Sequence, residues 1–305
     1  MNVWAFCLSL SVVIWSAIFD RSLLTIYFVI FMVYLAFHIF YQQRAQNSFR
    51  RKVQLATWND AGDPSVRGQI EIDLEPLDKL IEKHNRLNPS NLLTYTAIFV
   101  KALGEGLAYS GQIAGKIAFG KYVSNKSVDF TVAVDINGEN LTAVVIRGTN
   151  FKNIREINTA LKADVRTAKS GNQEFMNNLI ETGKFVPSFV SQLVHRVGIW
   201  FCYDVGVRFP ILGLEPDNFG CGLLTNIMSF GLYDIFPPLA PNMKTVFTAA
   251  MNAASLRPVV VDGALVIRKM MNLNITLDHR FADGSEASKV VRVIKEVLAN
   301  PEQYL

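Results

Sequence analysis

The feature that most constrains this chain lies at its start. Residues 2–41 are almost wholly apolar and are broken by Asp20 and Arg21 into two stretches, 2–19 and 22–41. A helix rises about 1.5 Å per residue and the hydrocarbon core of a bilayer is about 30 Å thick, so each stretch is long enough to cross a membrane. One continuous helix would be far too long and would hold two charges at mid-membrane. The expectation is a transmembrane helical hairpin over 1–41. The alternatives are one span with an interfacial first helix, or a processed signal. Against the signal, no Lys or Arg precedes the first stretch and no small-residue cleavage pattern precedes the second.

Arg44, Arg50, Arg51 and Lys52 follow directly, with no acidic residue until Asp60. Positive juxtamembrane charge stays on the cytoplasmic side. The expectation is therefore an integral membrane protein, with the lipid bilayer as a partner and the rest of the chain facing the cytoplasm or an equivalent inner side; the residues do not say of which membrane. Asn125, Asn140 and Asn274 head glycosylation sequons that would then stay unused. The charge balance, 30 basic against 26 acidic residues, is too even for a nucleic-acid footprint. Three cysteines (Cys7, Cys202, Cys221) without a CxxC pair exclude a disulfide framework and a thiolate metal site, and no metal is expected.

Residues 42–66 read as a basic juxtamembrane linker, ending in Asn59, Gly62, Asp63 and Pro64. Beyond it, residues 67–305 read as one layered α/β domain. The pattern predicts a strand over Gly68 to Leu74, a helix from Glu75 to Asn85, and a core-facing helix from Leu93 to Ala108 capped by Ser90. DFTVAVD, the turn Asn137-Gly138 and LTAVVIR form a hairpin signal, and Asn153 to Lys169 is amphipathic. RPVVV, Asp262-Gly263, ALVIRK and LNITL predict a second hairpin, and a final helix starts near Gly284. The stretch 185–209 is aromatic but interrupted by His195, Arg196, Asp204 and Arg208. It reads as an amphipathic insertion, within about 182–219, lying on the bilayer or in a subunit contact, or as an ordinary core helix.

Of four histidines, His38 lies in the second apolar stretch, His84 in an exposed-looking helix and His195 in the aromatic segment; all three read as structural. His279 differs in position. The triplet Asp278-His279-Arg280 ends an apolar strand and is followed by a loop with Asp283 and Gly284 before the last helix. Side chains at such a junction are held by the scaffold yet reach substrate, and an imidazole there can take a proton from a thiol or hydroxyl near neutral pH.

The run NLNITLDHRFADGSEASKVVRVIKEVLANPEQYL resembles the C-terminal signature of the acyltransferase catalytic domain of 2-oxoacid dehydrogenase complexes, the dihydrolipoamide acyltransferase family. That family shares its fold and catalytic histidine with chloramphenicol acetyltransferase. Four further segments agree in order: RGQIEIDLEPLDKLIEKHN, LTYTAIFVKALGEGL, VDFTVAVDINGENLTAVVIRG and LLTNIMSFG, ahead of RPVVVDGALVIRKMMNLNITLDHR. The resemblance implies a two-layer sandwich of mixed β-sheet and helices, here following the hairpin. It implies transfer of an acyl group between coenzyme A and a thiol, hydroxyl or amine. His279 would be general base, and Thr225 would stabilise the oxyanion. Asp283 and Gly284 would shape the active-site loop, Asp283 by accepting hydrogen bonds or pairing with an arginine, and Gly284 by permitting a tight turn; Asn226 would support Thr225. It also implies a homotrimer with His279 and Thr225 meeting at subunit interfaces. Coenzyme A or its acyl thioester would be a substrate, with no covalently bound lipoyl group in this chain. The acceptor could be a small molecule, a lipid or a lipoyl protein. The alternative is a catalytically inactive membrane scaffold or assembly factor of the same fold. Met228 and Ser229 stand where the family more often shows a glycine and an apolar residue.

Overall fold

In a computed structural model of the chain, the described residues are 26–33, 64–111, 113–119, 121–125, 127–135, 141–171, 196–207, 219–239 and 244–305. Among these, no helix is long and apolar enough to cross a membrane. The described part of the second apolar stretch is eight residues of helix at 26–33, which rises only about 12 Å against the ~30 Å of a hydrocarbon core. The rest of both stretches, with His38 and nearly all of the basic linker, lies outside the described residues. The expected hairpin is corrected accordingly, and with it the bilayer as a partner and the inward-facing orientation of an integral membrane protein.

Among the described residues, eight strands and four α-helices build the domain. Strand β1 (Ser65–Asp73) leads through α1 (Glu75–Leu87) to α2 (Tyr95–Ser110), then to a short hairpin, β2 (Gly115–Ala118) and β3 (Lys121–Ser124). Next come β4 (Phe130–Asp135), β5 (Leu141–Ile146) and α3 (Ile154–Gly171). After these, β6 (Gly222–Asn226), β7 (Phe247–Val261), β8 (Ala264–Asp278) and α4 (Gly284–Ala299) complete the domain. The main sheet has the order β1-β8-β7-β6-β4-β5, with β7, β6 and β4 parallel and the other neighbours antiparallel. This is the mixed α/β sandwich that the sequence implied.

The register explains the two layers. Residues paired across strands share a face. One row runs Gly68, Ile275, Ala249, Leu224, Val132, Val144, and the next runs Val66, Leu277, Phe247, Gly222, Phe130, Ile146. Nearly all of these are buried with Leu103, Leu107, Ile157, Val290 and Ile294 of the helices, so this face carries the core. The opposite face holds the rows Arg67, Thr276, Thr248, Leu223, Thr131, Val145 and Gln69, Asn274, Ala250, Thr225, Ala133, Ala143. It is polar yet largely covered: Thr131 Oγ1 donates to the Phe219 carbonyl, Thr248 Oγ1 to that of Pro237, and Asn252 exchanges hydrogen bonds with the Ile235 backbone.

Local chemistry sets the joints. The β7–β8 turn is Asp262-Gly263 with φ of 50° and 80°, the left-handed pair that a two-residue hairpin needs and that Asp-Gly tolerates. Helix α2 passes so close to the loop after β5 that a Cβ at Gly104 would lie 2.4 Å from Thr149 Oγ1. Its cap is Thr94, whose Oγ1 accepts the Ala97 N–H at 3.4 Å, rather than Ser90, so the helix starts two residues later than the spacing implied. His84 is buried, contrary to expectation, because the 91–93 turn folds back over α1; its Nε2 lies 3.3 Å from the Asn91 carbonyl.

Of the aromatic segment, 196–207 is described: a helical turn passing into a π-helix, Trp200–Val205. It packs as a small satellite, with Ile199, Cys202 and Tyr203 buried against Phe219. Asp204 accepts from the Phe119 N–H at 3.4 Å and pairs with Lys244, while Trp200 and Phe201 stay partly exposed. His195 and Arg208 lie outside the described residues.

Candidate active site

The loop after β8 is organised around His279. Its main-chain N–H donates to the Pro64 carbonyl at 2.8 Å, which anchors the strand end to the start of β1. Its Nδ1 lies 2.8 Å from the Ala282 carbonyl oxygen. A carbonyl can only accept, so Nδ1 carries the proton and the neutral ring has its lone pair on Nε2. The imidazole is half-buried and held by its own loop.

The residues on either side of it form a clamp that the sequence reading did not assign. Asp278 is buried. Its Oδ1 accepts from the Arg280 main-chain N–H at 2.9 Å and from Nε at 3.0 Å, while Oδ2 accepts from Nη2 at 2.6 Å. The fork of the guanidinium matches the carboxylate, which stiffens the backbone on both sides of His279. The signal was present as Asp and Arg two residues apart around the histidine.

Asp283 is the N-cap of α4, its Oδ1 accepting from the main-chain N–H of Ser285 at 2.9 Å and of Glu286 at 3.2 Å, and from the Ser285 hydroxyl at 2.9 Å. Gly284 is the first residue of that helix. It has no positive φ, and a Cβ there would meet nothing within 4 Å, so the turn does not depend on glycine.

Thr225 lies near the C-terminal end of β6, on the polar face of the sheet and half-buried. Its neighbour Asn226 ties that strand end down. Asn226 Nδ2 donates to Thr96 Oγ1 in the first turn of α2 at 3.1 Å, and Oδ1 accepts the Met228 N–H at 3.1 Å. Thr225 and His279 are not brought together within one chain. Thr225 shares a row with Asn274, two strands away, and His279 lies five residues beyond Asn274. At about 4.8 Å per strand and 3.3 Å per residue, the gap is about 19 Å. Among the described residues, no group of three or more His, Cys, Asp or Glu side chains could hold a metal ion.

The family model for the 2-oxoacid dehydrogenases acyltransferase (catalytic domain) matches residues 43–178 and 219–305. The chain belongs to this family. The match leaves out residues 179–218. The dihydrolipoyllysine-residue succinyltransferase component of the 2-oxoglutarate dehydrogenase complex of Haemophilus influenzae is 23% identical over 238 residues, 77% of this chain and 48% of that protein. The chain thus spans about half the length of that relative. In fold it is similar to the Azotobacter vinelandii dihydrolipoamide acetyltransferase, with 17% identity, a TM-score of 0.59, and coverage of 83% of this chain and 90% of that one. That protein has been examined for the roles of a serine, a histidine and an asparagine in its catalytic mechanism. A chloramphenicol acetyltransferase structure matches with a TM-score of 0.51 at 12% identity, over 81% of this chain and 94% of that one, a likeness of fold alone. Membership of this acyltransferase family links the chain to acyl transfer.

Proposed function

We propose that this chain catalyses acyl transfer between coenzyme A and a nucleophilic acceptor, with His279 as general base and Thr225 as oxyanion donor contributed by different copies of the chain. The observation that carries the reading is the state of His279: Nδ1 bound to the Ala282 carbonyl leaves Nε2 as the proton-accepting nitrogen. Nε2 takes the proton of the attacking thiol, hydroxyl or amine, which adds to the thioester carbonyl. The Thr225 hydroxyl donates to the oxygen that becomes negative in the tetrahedral intermediate. Collapse expels the coenzyme A thiolate, which recovers the proton from the imidazolium; in the reverse direction the coenzyme A thiol is the nucleophile.

The spacing of these residues supports the assignment. In the Azotobacter protein the asparagine follows the histidine by four positions and the serine precedes it by 52. Here Asp283 follows His279 by four and Thr225 precedes it by 54. The Asp283 carboxylate caps α4, and the cap fixes where the His279 loop enters the helix. The 19 Å gap within one chain makes the site incomplete without a second copy, and the family resemblance implies that the copies close into a cyclic trimer with a site at each interface. The test is turnover of an acyl-coenzyme A with a panel of dihydrolipoamide, hydroxyl and amine acceptors. His279→Ala is expected to abolish transfer to the active acceptor while the fold and assembly persist. Unchanged turnover in that variant would overturn the reading.

A further inference from the structure

Thr225 stands in a row of small residues on the polar face of the sheet, with Ala250 on one side and Ala133, then Ala143, on the other. The row is closed at one end and open at the other: Ala250 is fully buried, Ala133 half-buried and Ala143 exposed. A substrate carbonyl held by the Thr225 hydroxyl therefore has room for its substituent on the β4 side, over Ala133. Ala133 also lines a groove of about 870 Å³ between the first turn of α2, the C-terminal ends of β4 and β6, and the middle of α3. Asn226, next to Thr225, lines it too, so the groove opens beside the proposed site and is part of it. Its size is that of a small-molecule site, and the carboxyl ends of parallel strands are where α/β sheets characteristically seat ligands.

A thioester carbonyl carries two substituents, the acyl chain and the coenzyme A arm with its amides and phosphates. The lining discriminates between them. Val132, Leu161, Val165 and Met228 offer hydrocarbon. The polar side chains, Ser90 and Ser229 apart, are engaged with the protein itself. Thr94 Oγ1 accepts the Ala97 N–H at 3.4 Å, the Tyr95 hydroxyl donates to Asp78, and Asn226 joins Thr96 Oγ1 to the Met228 N–H. Lys162 Nζ donates to the Leu92 carbonyl and to Asn91 Oδ1, and Arg166 has a partner as well. An amide-bearing arm laid here would leave its N–H and C=O groups poorly paired, which is costly. A methylene chain has no such groups to satisfy and gains by burial.

We propose that this groove receives the acyl chain of the thioester and selects an aliphatic chain longer than acetyl. This selectivity rests on the acyl-transfer reading, of which it names the acyl class. Calorimetric titration of the whole His279→Ala chain with acetyl-, hexanoyl- and octanoyl-coenzyme A measures it without chemistry. Hexanoyl-coenzyme A is expected to bind at least about tenfold more tightly than acetyl-coenzyme A, since each buried methylene is worth about fourfold. Adding Val165→Trp fills the groove and should bring hexanoyl close to parity with acetyl. Adding Met228→Ala instead widens it and should shift the advantage from hexanoyl toward octanoyl. Absence of hexanoyl-coenzyme A binding, equal binding of hexanoyl and acetyl, or an undiminished hexanoyl advantage in a folded Val165→Trp chain would overturn the groove assignment. If Val165→Trp does not fold, an unchanged chain-length profile in Met228→Ala does the same. Turnover by the parent chain separates the two claims. Chain-length preference in binding without transfer to any acceptor would sink the acyl-transfer reading and leave the groove, whereas transfer without chain-length preference would sink the groove alone.

Discussion

His279 and Thr225 of one chain lie about 19 Å apart on the sheet, at the end of β8 and near the end of β6, and so cannot serve the same substrate carbonyl. In a cyclic assembly each interface would pair the histidine of one copy with the threonine of the next.

That arrangement makes complementation the sharpest test. His279→Ala and Thr225→Ala chains, each assembled alone, are expected to retain almost no activity and about 1% of it, respectively. Assembled together in equal amounts, they regenerate sites with both residues intact, about a quarter of the total for random mixing in a ring. Turnover near a quarter of the parent value supports a site shared between copies. Turnover no better than the mean of the two variants would refute it.

The Asp283 cap should behave as a stability element. Asp283→Ala removes the acceptor for two helix N–H groups and is expected to cost about 1 kcal/mol, a few degrees in Tm. Asp283→Asn keeps an acceptor and should lose only a fraction of that. Thermal unfolding of the two variants separates this from direct catalysis: a full Tm in Asp283→Ala together with lost turnover would contradict the capping role.

The clamp around the histidine gives a third expectation. Arg280→Ala strips a buried carboxylate of its two-pronged partner and should destabilise the fold by about 2 kcal/mol in urea titration. Arg280→Lys supplies one prong rather than two and should recover part of the loss. Because the clamp spans His279, kcat should fall in both variants in the same order. An Arg280→Ala chain with unchanged stability would mean that the pair is not formed.

Alkaline pH should loosen the contact between α1, α2 and β8. Burial, with the hydrogen bond to Asp78, raises the Tyr95 hydroxyl above its ordinary value of 10.0. Lys269 is raised above 10.5: burial pulls it down, and the bonds to Asp78 and Tyr95 outweigh that. A group whose folded pKa is raised stabilises fully below its unfolded pKa and loses that contribution as pH climbs through the folded value. Stability should therefore hold up to about pH 10 and fall above it, more steeply in the parent chain than in Tyr95→Phe. Tm measured from pH 8 to 11.5 checks both; identical slopes would exclude Tyr95 as a contributor.

Much of this fold was legible locally. The β4–β5 hairpin, α3 and the Asp262-Gly263 turn follow from alternation, helical spacing and a dipeptide that tolerates positive φ. The Asp278-His279-Arg280 triplet marked the candidate base because a polar cluster ended an apolar strand. Elsewhere the pattern was silent. The first seven residues of β7, Phe247 to Ala253, are buried on both faces, so they lack the alternation that marks a strand. The short β2–β3 hairpin has no periodicity long enough to read. His84 looked exposed, yet it lies on the buried face of α1 with Leu77 and Leu80, where its ring meets the Asn91 carbonyl.

The residues alone marked most of the elements and singled out His279 by its place at a strand-to-loop junction, whereas Thr225 was singled out only by the family resemblance. Only the tertiary structure decided how those elements meet. The order β1-β8-β7-β6-β4-β5 joins strands far apart in sequence, and its register places Thr225 on the polar face, Val132 on the helical one, and His279 out of reach of Thr225 in the same chain. The physical reason is that strand neighbours and register are set by the collective burial of one face. A one-residue slip turns every side chain over, and no local stretch of sequence carries that choice.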